Sequence, residues 1–204
     1  MKEEKGNIYT IFDEIISREE KEKSLNQKAR VVWLTGLSGS GKTTLAKGLE
    51  RKLHDEGYFT KLLDGDNVRA GINNNLAFSE EDRVENIRRI SEVAKLFMDG
   101  GVITICCFVS PTNDLRAMAK QIIGEEDFIL VHVNTSLEEC ERRDVKGLYK
   151  RARKGEIPNF TGISAPFDEP INPQITISTE GGEINDCVDS LLNSLKEYLT
   201  LSTQ

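Results

Sequence analysis

From Arg30 onward, short apolar runs alternate with longer segments of helical period. Val31-Val32-Trp33-Leu34-Thr35 is apolar and β-branched, which predicts a buried strand. Thr44 to Glu56 carries Leu45, Leu49 and Leu53 four apart, which predicts a helix. A strand follows over Tyr58 to Leu63, ending in Asp64-Gly65-Asp66, and then a long helix over Glu80 to Met98, broken by Gly100-Gly101. Val102 to Val109 is a nearly continuous apolar strand closed by Ser110-Pro111, and Asn113 to Ile123 a further helix. The pattern repeats in the strand Phe128 to Val133, a charged helix from Ser136 to Asp144, the strand Gln174 to Ser178 and the helix Glu183 to Leu199. Such alternation implies a parallel sheet covered on both faces, with ligands outside the carboxyl ends of its strands.

Two segments stand apart from this rhythm. Residues 1–28 are highly charged, yet Ile8, Phe12, Ile15 and Ile16 fall at helical spacing. They read as a short amphipathic helix docking on the domain or on a second subunit, followed by a polar linker to Arg30, or equally as a mobile tail. Residues 145–172 hold three of the five prolines, several glycines and early basic residues, the composition of a loop or lid. The chain thus divides into an extension, 1–28, and one domain, 29–204.

Length and composition narrow the picture. At 204 residues there is room for one full core. A net charge of −7 argues against a nucleic-acid surface. The apolar runs are too short to span a bilayer, and the charged N-terminus has no signal-peptide core, so a cytoplasmic location without membrane contact is expected. Cys106, Cys107, Cys140 and Cys187 form no C-x-x-C pair and suit a reducing compartment as core residues. His54 and His132 are too few and too scattered to suggest zinc.

The chemistry centres on Gly36-Leu37-Ser38-Gly39-Ser40-Gly41-Lys42-Thr43, which fits G-x-x-x-x-G-K-[ST] between a strand and a helix. Its glycines let successive N–H groups face one hollow at a helix N-terminus, where anions are favoured. Lys42 adds a charge for the β- and γ-phosphates, and Thr43 offers a hydroxyl to Mg²⁺. The loop, with Thr44, therefore predicts binding of a nucleoside triphosphate.

Beyond the loop, Asp64-Gly65-Asp66-Asn67 with Arg69 lies at the end of the second strand. It could be an ordinary Asx turn. Beside a bound triphosphate, a carboxylate there can orient or deprotonate an attacking hydroxyl, or hold a metal-bound water. In the 80–98 helix, Val84, Ile87, Ile90, Ala94, Phe97 and Met98 form one stripe, with Arg83 near its middle and Asn86 at its edge. A buried arginine needs an anion, either a core carboxylate or a phosphate- or sulfate-bearing substrate. Arg88 and Arg89 fall on the solvated side. Phe78 and Phe160 are either core filling or a clamp for a base. Arg142-Arg143, Lys146, Lys150-Arg151 and Arg153 form either a solvated helix face or a lid closing over phosphates.

These blocks resemble the adenylylsulfate kinase family over about Val31 to Thr179. The similarity rests on Gly36–Thr43, Leu63-Asp64-Gly65-Asp66-Asn67-Val68-Arg69 and Asp82-Arg83-Val84-Glu85-Asn86-Ile87-Arg88-Arg89-Ile90. It continues through Phe108-Val109-Ser110-Pro111, Lys146-Gly147-Leu148-Tyr149 and Phe160-Thr161-Gly162-Ile163. The resemblance implies an α/β, P-loop nucleoside-triphosphate-hydrolase-like three-layer sandwich with a mostly parallel five-stranded sheet. It implies transfer of the ATP γ-phosphate, with Mg²⁺, to the 3′-hydroxyl of adenosine 5′-phosphosulfate, in a cytoplasmic homodimer serving sulfate assimilation. It assigns Asp66 to the acceptor hydroxyl, with Asp64 also supporting the metal region, and Lys42 to the transferring phosphoryl. Asp64, Arg69, Phe78, Arg83, Asn86, Val109, Ser110, Lys146 and Phe160 fall to the acceptor nucleotide. Ser110 matches the family's phosphoserine position. Direct in-line transfer needs no such relay, and the plain alternative for Ser110 is a strand-end cap touching substrate through its backbone.

The chain departs from the family at Ala70, where His is common, at Ala77, and at Thr112-Asn113, where an aromatic and an arginine are frequent; Arg116 is retained. These changes leave room for a kinase acting on another nucleotide with a free 3′-hydroxyl. A GTPase-like switch would need an N-K-x-D element after a strand, and Val133-Asn134-Thr135-Ser136 is not one.

Overall fold

The computed structural model describes residues 9–12 and 14–201. Five strands, β1 (Val31–Thr35), β2 (Thr60–Asp64), β3 (Ile103–Cys107), β4 (Phe128–Val133) and β5 (Ile175–Ile177), form one sheet in the order β2-β3-β1-β4-β5. Every pairing is parallel, with Trp33 facing Cys106 on one side and Leu130 on the other. Order is reversed between β1 and its neighbours β3 and β4, so the crevice at the carboxyl ends opens directly after β1.

The helices are α1 (Arg18–Leu25), α2 (Lys42–Asp55), α3 (Gly65–Ala70), α4 (Glu80–Asp99), α5 (Asn113–Ile123), α6 (Leu137–Arg143), α7 (Leu148–Arg153) and α8 (Ile184–Leu199). One face of the sheet packs Val32, Leu34, Ile105 and Val131 on Leu45, Leu49 and Leu53 of α2 and on Leu191 and Leu195 of α8. The other packs Trp33, Cys106 and Leu130 on Ile87, Ile90 and Ala94 of α4 and on Ala119 and Ile123 of α5. Because strand side chains alternate, Cys106 and Cys107 enter opposite cores. All four cysteines are free. No helix among the described residues is long and apolar enough to cross a membrane.

The N-terminal extension differs from its expected form. Ile8 lies outside the described residues, and Phe12, Ile15 and Ile16 are exposed and precede the helix. The helix occupies Arg18–Leu25, within the expected polar linker. Its start is set by a capping box, in which the Ser17 hydroxyl accepts from Glu20 N–H and the Glu20 carboxylate accepts from Ser17 N–H. Its anchor is polar: Glu22 accepts from Ala29 N–H and pairs with Arg18, which also grips Asp127 beside Arg30.

The stripe on α4 is also rotated from the expected one. Asn86, Ile87, Ile90, Ser91, Ala94 and Met98 are buried, whereas Val84 is 42% exposed. The true seam runs 87-90-94-98, and Arg83 continues it one turn beyond the sheet. The 145–172 segment contains a helix of its own, α7.

Candidate active site

A cleft of about 570 Å³ lies along the carboxyl edge of β1, β2 and β3 under the 145–161 segment. Ser38, Gly39, Gly41, Lys42, Thr43 and Thr44 of the phosphate loop and the start of α2 form one end of it. Gly36, Leu37 and Ser40 complete the loop behind this surface. Gly36 has φ 153° and lies so close to β4 that a Cβ would sit 2.6 Å from the Val133 carbonyl oxygen. Gly41, at φ 94°, is the N-cap of α2 and makes no side-chain cap, so the first amides of α2 face the loop's hollow. The buried Ser40 carbonyl accepts from Thr135 and Thr179, which fasten the loop to the ends of β4 and β5. Lys42 reaches back over the loop, its Nζ donating to the Gly36 and Leu37 carbonyls at 2.9 and 2.7 Å. Burial lowers its pKa, and nearby Asp64 works against that shift.

Next to Lys42, the Thr43 hydroxyl donates to Asp64 Oδ2 at 2.9 Å. Asp64 also caps α3, its Oδ1 accepting from Asp66 N–H at 3.0 Å. A hydroxyl and a carboxylate, both hard oxygen donors, thus meet at the mouth of the phosphate loop and fit Mg²⁺, which takes few protein ligands and completes its shell with phosphates and water. Asp66 pairs with Lys146 across the cleft; both side chains are largely exposed.

The opposite end is lined by Arg69, Phe78, Arg83, Asn86, Val109, Ser110 and Phe160. Arg69 lies 4.4 Å from the ring centroid of Phe78 and donates to the Leu76 and Ala77 carbonyls. Arg83 donates to the Phe78 and Asn159 carbonyls and to the Thr161 hydroxyl. Among the described residues neither guanidinium pairs with a carboxylate, which removes the core ion pair as an account of Arg83. Burial lowers both pKa values, and for Arg69 the charge of Arg83 adds to the effect. Phe78 is 63% exposed and so fills no core. Phe160 meets the buried Tyr149 edge-on with centroids 5.1 Å apart.

Asn86 accepts from Asn73, which ties the segment after α3 to α4. Ser110 is 2% exposed at φ 37°. Its hydroxyl accepts from Trp33 Nε1 at 3.1 Å and donates to Thr35 at 3.0 Å, while its carbonyl accepts from Arg116.

Of the basic run, Lys146 alone lines the cleft. Arg142 and Arg143 bind Glu139, holding its carboxyl down at about 2, and Arg151 and Arg153 bind Glu156 and Glu141. Arg88 and Arg89 likewise hold Glu85 at about 2.

Three contributors were given no role by sequence reasoning: Arg116, Thr161 and Tyr149. Tyr149 stands in the quoted Lys146-Gly147-Leu148-Tyr149 block, and its hydroxyl donates to the Ser38 carbonyl at 2.8 Å. Arg116 joins the Ser110 carbonyl to that of Asp168, stitching the end of β3 to the far end of the lid segment.

The family model for adenylylsulphate kinase matches residues 28–178. The adenylyl-sulfate kinase of Bacteroides thetaiotaomicron is 60% identical over 190 residues, covering 93% of this chain and 94% of that one. That of Phocaeicola vulgatus is 59% identical over 189 residues, covering 93% of each. Among solved structures, the APS kinase CysC of Mycobacterium tuberculosis in complex with AMPPNP and APS superposes with a TM-score of 0.80 at 43% identity, covering 83% of this chain and 98% of that one. With a parallel sheet, a phosphate loop after β1 and matches of this extent, the chain belongs to the adenylylsulphate kinase family.

Proposed function

We propose that this chain transfers the γ-phosphoryl group of ATP to the 3′-hydroxyl of adenosine 5′-phosphosulfate, yielding 3′-phosphoadenosine 5′-phosphosulfate. The observation that carries this reading is the pair Arg69 and Arg83. They are two partly desolvated guanidiniums bonded only to neutral oxygens, beside exposed Phe78 and half-buried Phe160, in the cleft that ends at the phosphate loop. Two forks without an acid suit a doubly anionic phosphosulfate, and the rings suit its adenine.

Each residue then has a task. The loop amides and Lys42 hold the β- and γ-phosphates and stabilise charge on the group in transfer. Thr43 and Asp64 would hold Mg²⁺, which neutralises developing charge when bound. Asp66 orients the 3′-hydroxyl and accepts its proton, and Lys146, paired with Asp66 across the cleft, holds that carboxylate in place. The Ser110 hydroxyl is consumed by Trp33 and Thr35, which supports the strand-end role over a phosphoryl relay.

Ala70, Ala77, Thr112 and Asn113 do not line the cleft. Thr112 caps α5 and Asn113 binds Arg116, so these departures from the family lie off the cleft wall, which supports the phosphosulfate reading over a different nucleotide. A homodimer, a cytosolic setting and a place in sulfate assimilation belong to the same proposal. The exposed Phe12, Ile15, Ile16 and Leu96 favour association, which sedimentation equilibrium would measure.

The test is steady-state ATP consumption with adenosine 5′-phosphosulfate, for wild type and Asp66→Asn. Turnover that requires this nucleotide and falls at least about 100-fold in the variant is expected, the scale of a lost general base. ATP binding without phosphosulfate-dependent turnover would sink the proposal.

A further inference from the structure

Tyr149 is the one described residue of the 145–172 segment whose side chain hydrogen-bonds the phosphate loop. Its position is well determined. The Asp144 carboxylate accepts from Tyr149 N–H and Lys150 N–H, both at 3.0 Å, which fixes the first turn of α7 against the end of α6. The ring is 2% exposed and meets Phe160 at an interplanar angle of 81°. Burial raises the pKa of its hydroxyl, which therefore stays a donor at any ordinary pH.

The acceptor of that hydrogen bond matters. The Ser38 carbonyl and the Gly39 N–H belong to one planar trans peptide and point in opposite directions. Holding the carbonyl outward, toward the lid segment, turns the Gly39 N–H the other way. Gly39 takes up this orientation at φ 77°, a left-handed value open to glycine. At the other end, the Phe160 carbonyl accepts from Ile163, Ser164 and Ala165 N–H groups, so the residue whose ring meets Tyr149 is also the anchor of the 160–165 turn.

We propose that Tyr149 is a positioning residue that couples the two nucleotide sites. Its hydroxyl sets the Ser38–Gly39 peptide for phosphate, and its ring transmits the state of the loop to Phe160 at the acceptor end. The inference rests on the functional reading above only for the identity of the second ligand. Coupling between sites must act both ways.

The test compares wild type with Tyr149→Phe, which removes one oxygen and keeps the ring. In wild type, AMPPNP with Mg²⁺ slows amide exchange at residues 36–44 and also at 157–165, each by about fivefold or more, the scale of ordinary coupling. In Tyr149→Phe the slowing at 36–44 persists and that at 157–165 falls below about twofold, as one lost hydrogen bond predicts. Equal slowing at 157–165 in both proteins, or none in wild type, would overturn the inference. So would exchange that rises uniformly with a lowered melting temperature, which marks a merely structural role. A calorimetric arm measures adenosine 5′-phosphosulfate affinity with and without AMPPNP; a gain of about fivefold in wild type, lost in the variant, is expected. If exchange behaves as expected but this nucleotide binds neither form, the acceptor assignment falls and the role of Tyr149 stands.

Discussion

The two ends of the cleft are built differently. The donor end is a backbone device: eight consecutive residues whose shape follows from glycine, with its only charged side chain buried and bonded to the loop's own carbonyls. The acceptor end is a side-chain device, assembled from α3, α4, the end of β3 and the lid segment. Arg83 and Thr161, or Asp66 and Lys146, are about eighty residues apart in the chain. A local backbone site can be rigid before any ligand arrives. A convergent site with exposed members is set by whatever docks the segments that carry them, and losing a contact at one end should leave the contacts of the other in place.

The sharpest break is Lys42→Met. Phosphoryl transfer should fall about 1000-fold, the loss expected for a preorganised charge at the reacting group. The melting temperature should hold or rise, because a desolvated ammonium leaves the interior. Rapid-quench kinetics and a thermal melt check both.

Arg83→Ala probes the other end. Losing a desolvated guanidinium that faces an anion should raise KM for the acceptor by about 10- to 100-fold, the range for charged hydrogen bonds. AMPPNP affinity, read by calorimetry, should change by less than about twofold if the ends are independent in their contacts. Equal losses at both sites would erase the distinction. Phe78→Leu should act more weakly in the same direction, about five- to tenfold in acceptor KM, because stacking on an exposed ring contributes little more than about 1 kcal/mol.

Asp127 serves as a control far from both sites. Burial pushes its carboxyl up, but the hydrogen bonds and charge of Arg18, with the charge of Arg30, outweigh this and leave it below its ordinary 3.8. A depressed carboxyl stabilises the fold above its unfolded pKa, and that stability is lost as pH falls through the folded value. Asp127→Asn should therefore lower the melting temperature at pH 7, and the gap from wild type should close as pH falls below about 4. The kinetic constants of the folded variant at pH 7 should match wild type.

Legibility in the sequence followed the same division. The phosphate loop could be read letter by letter, since its glycines and Lys-Thr act through local backbone and a helix start. Strands β1 and β4 and helix α5 fell on the expected residues, because continuous apolar runs and a clean period state burial directly. Helices α3 and α7 gave no such signal, each being six residues long and so less than two turns of any period. The N-terminal apolar positions misled for a related reason. Four apolar residues at helical spacing marked no helix among the described positions, whereas the Ser17-x-x-Glu20 capping box, a two-residue polar signal, marked the real start.

The sequence by itself determined the sheet, the phosphate loop and the list of residues able to meet an anion or a base. Only the tertiary structure decided which of them share a cleft. It turned Val84 outward and left Arg83 without an acid. It chose Lys146 from six basic residues by giving the four arginines to glutamates and leaving Lys150 off the cleft, and it spent the Ser110 hydroxyl on Trp33 and Thr35. The reason is range: backbone conformation and periodic burial are set by neighbours a few residues away, while the partner of a long polar side chain is whatever distant segment the packed layers bring within three ångströms.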